Sequence, residues 1–243
     1  MKVAIGESIE DLWLNLLVSL ICDKDNYYFH PEIITRYIFA ETNHFEFKNT
    51  SLISDFYKYS GYNRQMKMGQ LRKEYWTGKV EKQFKVLKDF FRQLSPRQAR
   101  AAVYFSEPAF DTSSKLKCLE SLYLFKTSKT EYEAFLTFRN TEIYPKLFMD
   151  FIYVKELLHE IDRDLGVKCI GFRAIIINAF LRLHQVMLVK MFASEWGITN
   201  YSDNFKKMIN EFERKYQPES IQTLKLISMK RVLERTYRLK EVA

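Results

Sequence analysis

The chain has 243 residues, 47% of them hydrophobic and 16% aromatic, too many core formers for disorder and enough to bury a substantial core. Its net charge of +8 suits a nucleotide phosphate, a polyanionic folate tail or nucleic acid equally, and much of the excess lies in residues 64–100 and 225–240. Glycine is scarce, and neither GxxxxGK[ST] nor GxGxxG occurs, which excludes P-loop and dinucleotide-binding chemistry. Cys22, Cys118 and Cys169 have no CxxC spacing, so neither a disulfide framework nor a zinc site is expected.

Residues 7–22 place Ile9, Leu12, Trp13, Leu16, Leu17 and Leu20 on one face, the spacing of an amphipathic helix, with Ser8 as its cap and Asp11 three residues on. The apolar run 12–22 is broken by Asn15 and Ser19 and is too short to cross a bilayer. It lacks a secretory leader's basic flank and cleavage site, so a soluble cytoplasmic protein without a membrane partner is expected. Residues 31–40 read as a second helix opened by Pro31, and 50–59 as a third. The polar, basic stretch 60–78 reads as an exposed loop, after which 79–94 returns to helical periodicity.

Alternation then takes over. Ala101, Val103 and Phe105 share one face of a strand over 100–105. Strands over 118–126 and 131–139 are joined by a hairpin turn at 127–130. A helix over 147–165 stops at Gly166, and 170–181, rich in β-branched residues, reads as a buried strand. Helical or mixed segments follow at 183–196, 203–216 and 219–237. Asp162 and Asp164 beside His159 read as a solvated helix face and not as a metal site. No repeat or linker interrupts the chain, so residues 1–243 form one α+β domain in this reading, a mixed sheet packed with helices.

Cys118 is the residue with the most chemical promise. It stands on a strand between two strand-terminating arginines, Arg100 and Arg139. Guanidinium groups bind phosphate bidentately and favour the thiolate, the reactive form of cysteine. The bland alternatives are a small buried hydrophobe and two surface ion pairs.

The wider pattern around these residues resembles thymidylate synthase and its relative deoxycytidylate hydroxymethylase. Arg139, Glu142, Leu147 and Asp150 are similar in spacing to the family's R-S-x-D-x-x-x-G-x-P-x-N segment. Gly69 and Trp76 match its L-G-x-V-Y-G-x-Q-W segment, and residues 166–168 with Phe172 match G-L-K-x-G-x-F. The resemblance runs in order over residues 68–183. It implies the thymidylate-synthase fold, catalytic roles for Cys118 and Glu142, and substrate binding by Arg100, Arg139, Asp150, Arg72 and Asn178. It further implies a pyrimidine nucleotide as substrate, 5,10-methylenetetrahydrofolate as one-carbon donor and a homodimer that shares the phosphate clamp. An aspartate at position 150, where the family reads the base with asparagine, favours cytosine over uracil.

The departures fall on proton handling and ribose recognition. Arg72 replaces the catalytic tyrosine, and Leu119 follows the cysteine where the family has histidine. Phe180 and Arg182 replace the sugar-binding histidine and tyrosine, while Arg36 or Tyr37 occupies the place of the general-base glutamate. Phe47, Tyr57, Tyr62 and Trp76 are the aromatics offered for stacking. The rival reading is a catalytically silent module that holds nucleotide or nucleic acid on the retained arginines. A third, an all-helical basic protein binding nucleic acid, would deny the strands.

Overall fold

Period-two burial organises the molecule. In the computed structural model, which describes residues 2–29, 32–44, 46–60, 69, 71, 75, 78–93, 100–105, 118–216 and 220–225, seven strands form a single mixed sheet. They are β1 (Lys2–Gly6), β2 (Tyr27–Phe29), β3 (Glu32–Thr42), β4 (Arg100–Tyr104), β5 (Leu119–Lys126), β6 (Glu131–Glu142) and β7 (Lys168–Arg182). The order is β1-β3-β7-β6-β5-β4, with β2 paired to β3. Only β1/β3 and β6/β7 are parallel. The strands rule out the all-helical reading.

Parallel neighbours need crossover connections, and two helices supply them. Helix α1 (Ile9–Cys22) lies between β1 and β3, and α4 (Phe148–Leu165) between β6 and β7. The other helices are α2 (Thr50–Ser60), α3 (Gly78–Gln93), α5 (Val186–Glu195) and α6 (Asp203–Tyr216). Ser8 caps α1 as expected, its Oγ accepting from the Asp11 N–H at 3.3 Å. Trp13 of α1 joins the two crossovers. Its ring lies 4.8 Å from Phe148 and 5.3 Å from Phe192, and its indole N–H donates to the Ile143 carbonyl at 2.9 Å. Gly6 ends β1 where a Cβ would come within 2.2 Å of the Leu12 backbone nitrogen, so only glycine lets the chain turn into α1.

The helices cover one face of the sheet. Ala4, Ala40, Ala174, Leu136 and Leu122 are buried beneath them. Their strand neighbours Val3, Phe39, Ile175, Phe135 and Tyr123 alternate onto the opposite face, where Val3 is 59% and the nearby Ile5 64% exposed. On that face Arg173 bridges Glu41 at 2.9 Å and Glu133 at 2.6 Å.

Two expectations fail. Residues 31–40 are not a helix: Glu32–Thr42 is a strand. Ile33, Thr35, Ile38 and Ala40 are buried there, and pairing to both β1 and β7 outweighs the helix-opening proline. The stretch 60–78 is not simply an exposed loop, since Leu71 and Tyr75 are buried in helical backbone and Tyr75 stacks on Tyr153 at 5.5 Å. The remaining elements lie within a few residues of their expected places. β1 and β2 had no sequence signal, and of 219–237 the described part is 220–225, helical from 221.

One irregularity crosses the sheet. Tyr37, Ile177 and Arg139 drop out of the β3/β7 and β6/β7 ladders at a common level, and Tyr37 takes a positive φ of 54°. In β5 the register shifts at the same level, between Leu119 and Ser121. Beyond it burial moves to the other parity: Phe138 gives way to Thr141, Ile176 to Ala179 and Ile38 to Thr35. A bulge shared by neighbouring strands re-aims their side chains together while pairing continues on both sides.

Candidate functional site

The level of this kink collects Cys118, Arg139 and Asn178 from the residues singled out by sequence. Cys118 immediately precedes β5 and is half-buried, outside any disulfide. Its carbonyl accepts the Arg139 N–H at 3.0 Å, which makes thiol and guanidinium residues direct neighbours across the β5–β6 pair. On the other side of β6, Asn140 pairs in register with Asn178 of β7, and Asn178 Nδ2 donates to Asn140 Oδ1 at 2.6 Å.

Arg139 is incompletely engaged. The Glu120 carboxylate oxygen lies 3.8 Å from its Nε, at the loose end of an ion pair. Its Nε is buried and has no hydrogen-bond partner among the described residues. A guanidinium in that state is a donor set awaiting acceptors.

Glu142, at the end of β6, is 2% exposed. Burial opposes its charge, but Lys146 at 3.0 Å and Arg182 at 3.9 Å more than offset that, and its carboxyl is held below the usual glutamate range. The residue is therefore a fixed carboxylate at neutral pH. Arg182 is bound to Glu32 at 3.0 Å and lies over the Phe180 ring at 5.1 Å. These two replacements for the sugar-binding pair pack against each other.

Asp150 lies in the first turn of α4, where the helix dipole favours a carboxylate, and is 3% exposed. Arg100 is not brought to Cys118 within the chain. Its backbone pairs with Phe125, six residues along β5 from Leu119, or about 20 Å at strand rise. The side chain of Arg100 and all of Arg72 lie outside the described residues, as do Tyr62 and Trp76. Phe47 and Tyr57 serve the core: Phe47 packs on Phe148 at 5.9 Å, and Tyr57 on Phe56 at 5.4 Å with its hydroxyl 3.8 Å from the Met149 sulfur.

Sequence reading missed Asn140, which only the β6/β7 register connects to Asn178. Among the described residues there is no cluster of metal-ligating side chains and no helix long and apolar enough to cross a membrane. Asp162 and Asp164 serve instead as partners of the Tyr132 hydroxyl at 2.7 Å and of Lys88. No protein-family model and no curated protein sequence matches this chain. The class defined by the coordinates is an α+β protein with an open mixed sheet covered on one face.

Proposed function

We propose that the chain is a divergent thymidylate-synthase-fold protein acting at C5 of a pyrimidine nucleotide, by methylation or hydroxymethylation. The Cys118 thiolate adds to C6 of the ring, and the electron pair of the C5=C6 bond makes C5 the nucleophile. Arg139 takes the 5′-phosphate as a bidentate donor, with Arg100 completing the clamp. Asp150 reads the cytosine edge, with Asn178 and Arg72 as further substrate contacts and Glu142 as the fixed charge behind them. The observation that carries this reading is the Arg139–Cys118 backbone bond, which sets the thiol residue beside a guanidinium whose Nε is buried without an acceptor.

A folate donor would supply the one-carbon unit. Its flat pterin needs a slot beside the nucleotide, and Phe47 and Tyr57, engaged in the core, do not provide one.

Two features support a homodimer. The sheet face that no described helix covers exposes Val3, Ile5 and Tyr104, and the Arg100 backbone lies about 20 Å along β5 from the Cys118 end, out of reach of its own Cys118. Stacking two such faces buries the apolar rows and lets each chain lend its arginine. The chain of 29.2 kDa should then sediment at twice that mass, and Ile5→Glu with Tyr104→Glu should convert it to monomer.

A silent nucleotide- or nucleic-acid-binding module is the second reading, favoured by Glu142, whose carboxylate is held charged by Lys146 and Arg182 and has no proton to give at neutral pH. Tritium release from C5 of dCMP and dUMP separates the two. The enzyme reading expects release that is lost in Cys118→Ser and shifts from dCMP toward dUMP in Asp150→Asn. Nucleotide binding with no release would leave the silent module.

A further inference from the structure

The β3–β7–β6 register puts one more residue in line with the asparagine pair. Arg36 pairs with Asn178, and Asn178 with Asn140, so the three share one row and one face of three adjacent strands. Arg36 is exposed, Asn178 half-buried and Asn140 exposed, between the buried rows Ile38–Ile176–Phe138 and Thr35–Ala179–Thr141.

Arginine is usually answered by a carboxylate on this sheet. Arg173 meets Glu41 and Glu133, Arg182 meets Glu32, and even Arg139 has Glu120 at 3.8 Å. Arg36 has no such carboxylate among the described residues. The asparagine pair is polarised toward the same row. Asn140 spends its carbonyl on Asn178, which leaves the Asn140 Nδ2 hydrogens and one hydrogen of Asn178 Nδ2 to donate. A planar cationic fork beside two amide donors, without a matching acceptor, is the chemistry that receives an oxyanion.

We infer that Arg36, Asn178 and Asn140 form an oxyanion-binding row, which takes a phosphate or carboxylate of the ligand whose ring lies at Cys118. The inference deepens the proposed function by adding Arg36 and Asn140 to the site. Two strand spacings separate Arg36 from Asn140 and three separate it from Cys118, about 10 and 14 Å. The row therefore holds a group distant from the reacting ring, and two sources have that chemistry. One is the nucleotide's phosphate, and the other is the glutamate tail of a folate.

Titration calorimetry on the full chain tests it, with inorganic phosphate, dCMP, deoxycytidine and pteroylglutamate as probes against Arg36→Gln and Asn140→Ala/Asn178→Ala. Removal of a bidentate charged donor should weaken the bound anion about tenfold or more. Loss for dCMP and phosphate, with deoxycytidine unchanged, assigns the row to the nucleotide. Loss for pteroylglutamate alone assigns it to the folate tail. Arg36→Lys, which keeps the charge but not the fork, should recover only part of the loss. If neither variant changes the affinity for any anion while melting temperatures stay at wild type, the inference is overturned. Cys118→Ser, run in parallel, should bind as wild type, so a failure of the covalent chemistry remains distinguishable from a failure of this row.

Discussion

The two ends of β6 carry polar groups of similar type in opposite states. At its start, Tyr132 is buried with its hydroxyl on Asp162, and nearby Cys169 Sγ lies 3.4 Å from the Gly171 carbonyl. Burial pushes that thiol up to about 12 and raises the Asp162 carboxyl. Each polar group there has a partner, so the cluster is structural. At the far end the Arg139 Nε is buried without a hydrogen-bond partner among the described residues, Cys118 is its neighbour across the β5–β6 pair, and the exposed Asn140 and Arg36 present their donors to solvent. Satisfied polarity holds a fold together, whereas unsatisfied polarity in register is what a ligand completes.

Thiol reactivity should show the contrast most strongly. At pH 8 a thiol titrating near 12 is thiolate to about one part in ten thousand, so Cys169 should resist iodoacetamide in the native protein. Cys118 should be alkylated, and denaturant should erase the difference, as peptide mass mapping would reveal. Equal native rates would break the comparison.

Stability should divide along the same line. Tyr132→Phe removes the hydroxyl donor from the half-buried Asp162 and should cost about 1–3 kcal/mol in chemical denaturation. Asn140→Ala, at the exposed end, should stay within about 0.5 kcal/mol.

The pH response is subtler, and the two ends should have opposite signs. Glu142 has a depressed carboxyl, so its contribution is present above the ordinary glutamate value near 4.5 and is lost as pH falls through the lower folded value. Asp162 has a raised one. Its contribution is full below the ordinary aspartate value near 3.8 and is lost as pH rises through the higher folded value. Glu142→Gln should therefore flatten the acid loss of stability, and Asp162→Asn should steepen it, as denaturation midpoints between pH 3 and 6 would record.

Much of this was legible in the sequence, and the failures have physical causes. The hairpin at 127–130, the strand through Ile175 and the helix through Phe148–Leu165 follow from alternation, β-branching and a Gly166 stop at a φ of 64°. Strand β3 was misread because Pro31 suggested a helix start, and only its two partner strands decide otherwise. Cys118 and Arg139 are neighbours as their strands predicted, but Arg100 is not, because an antiparallel β4 puts its first residue against the far end of β5. Asn140 was invisible as a site residue, and Arg36 stood out only as a replacement for the general-base glutamate. Their meaning depends on a register set by pairing across three strands, to which no local pattern gives access.

The most direct measurement is the intact mass of the protein after incubation with 5-fluoro-dCMP or 5-fluoro-dUMP and methylenetetrahydrofolate. The account predicts a covalent increment that maps to Cys118 and disappears in Cys118→Ser. An unmodified chain that nevertheless binds these nucleotides would contradict a nucleophilic role for this thiol.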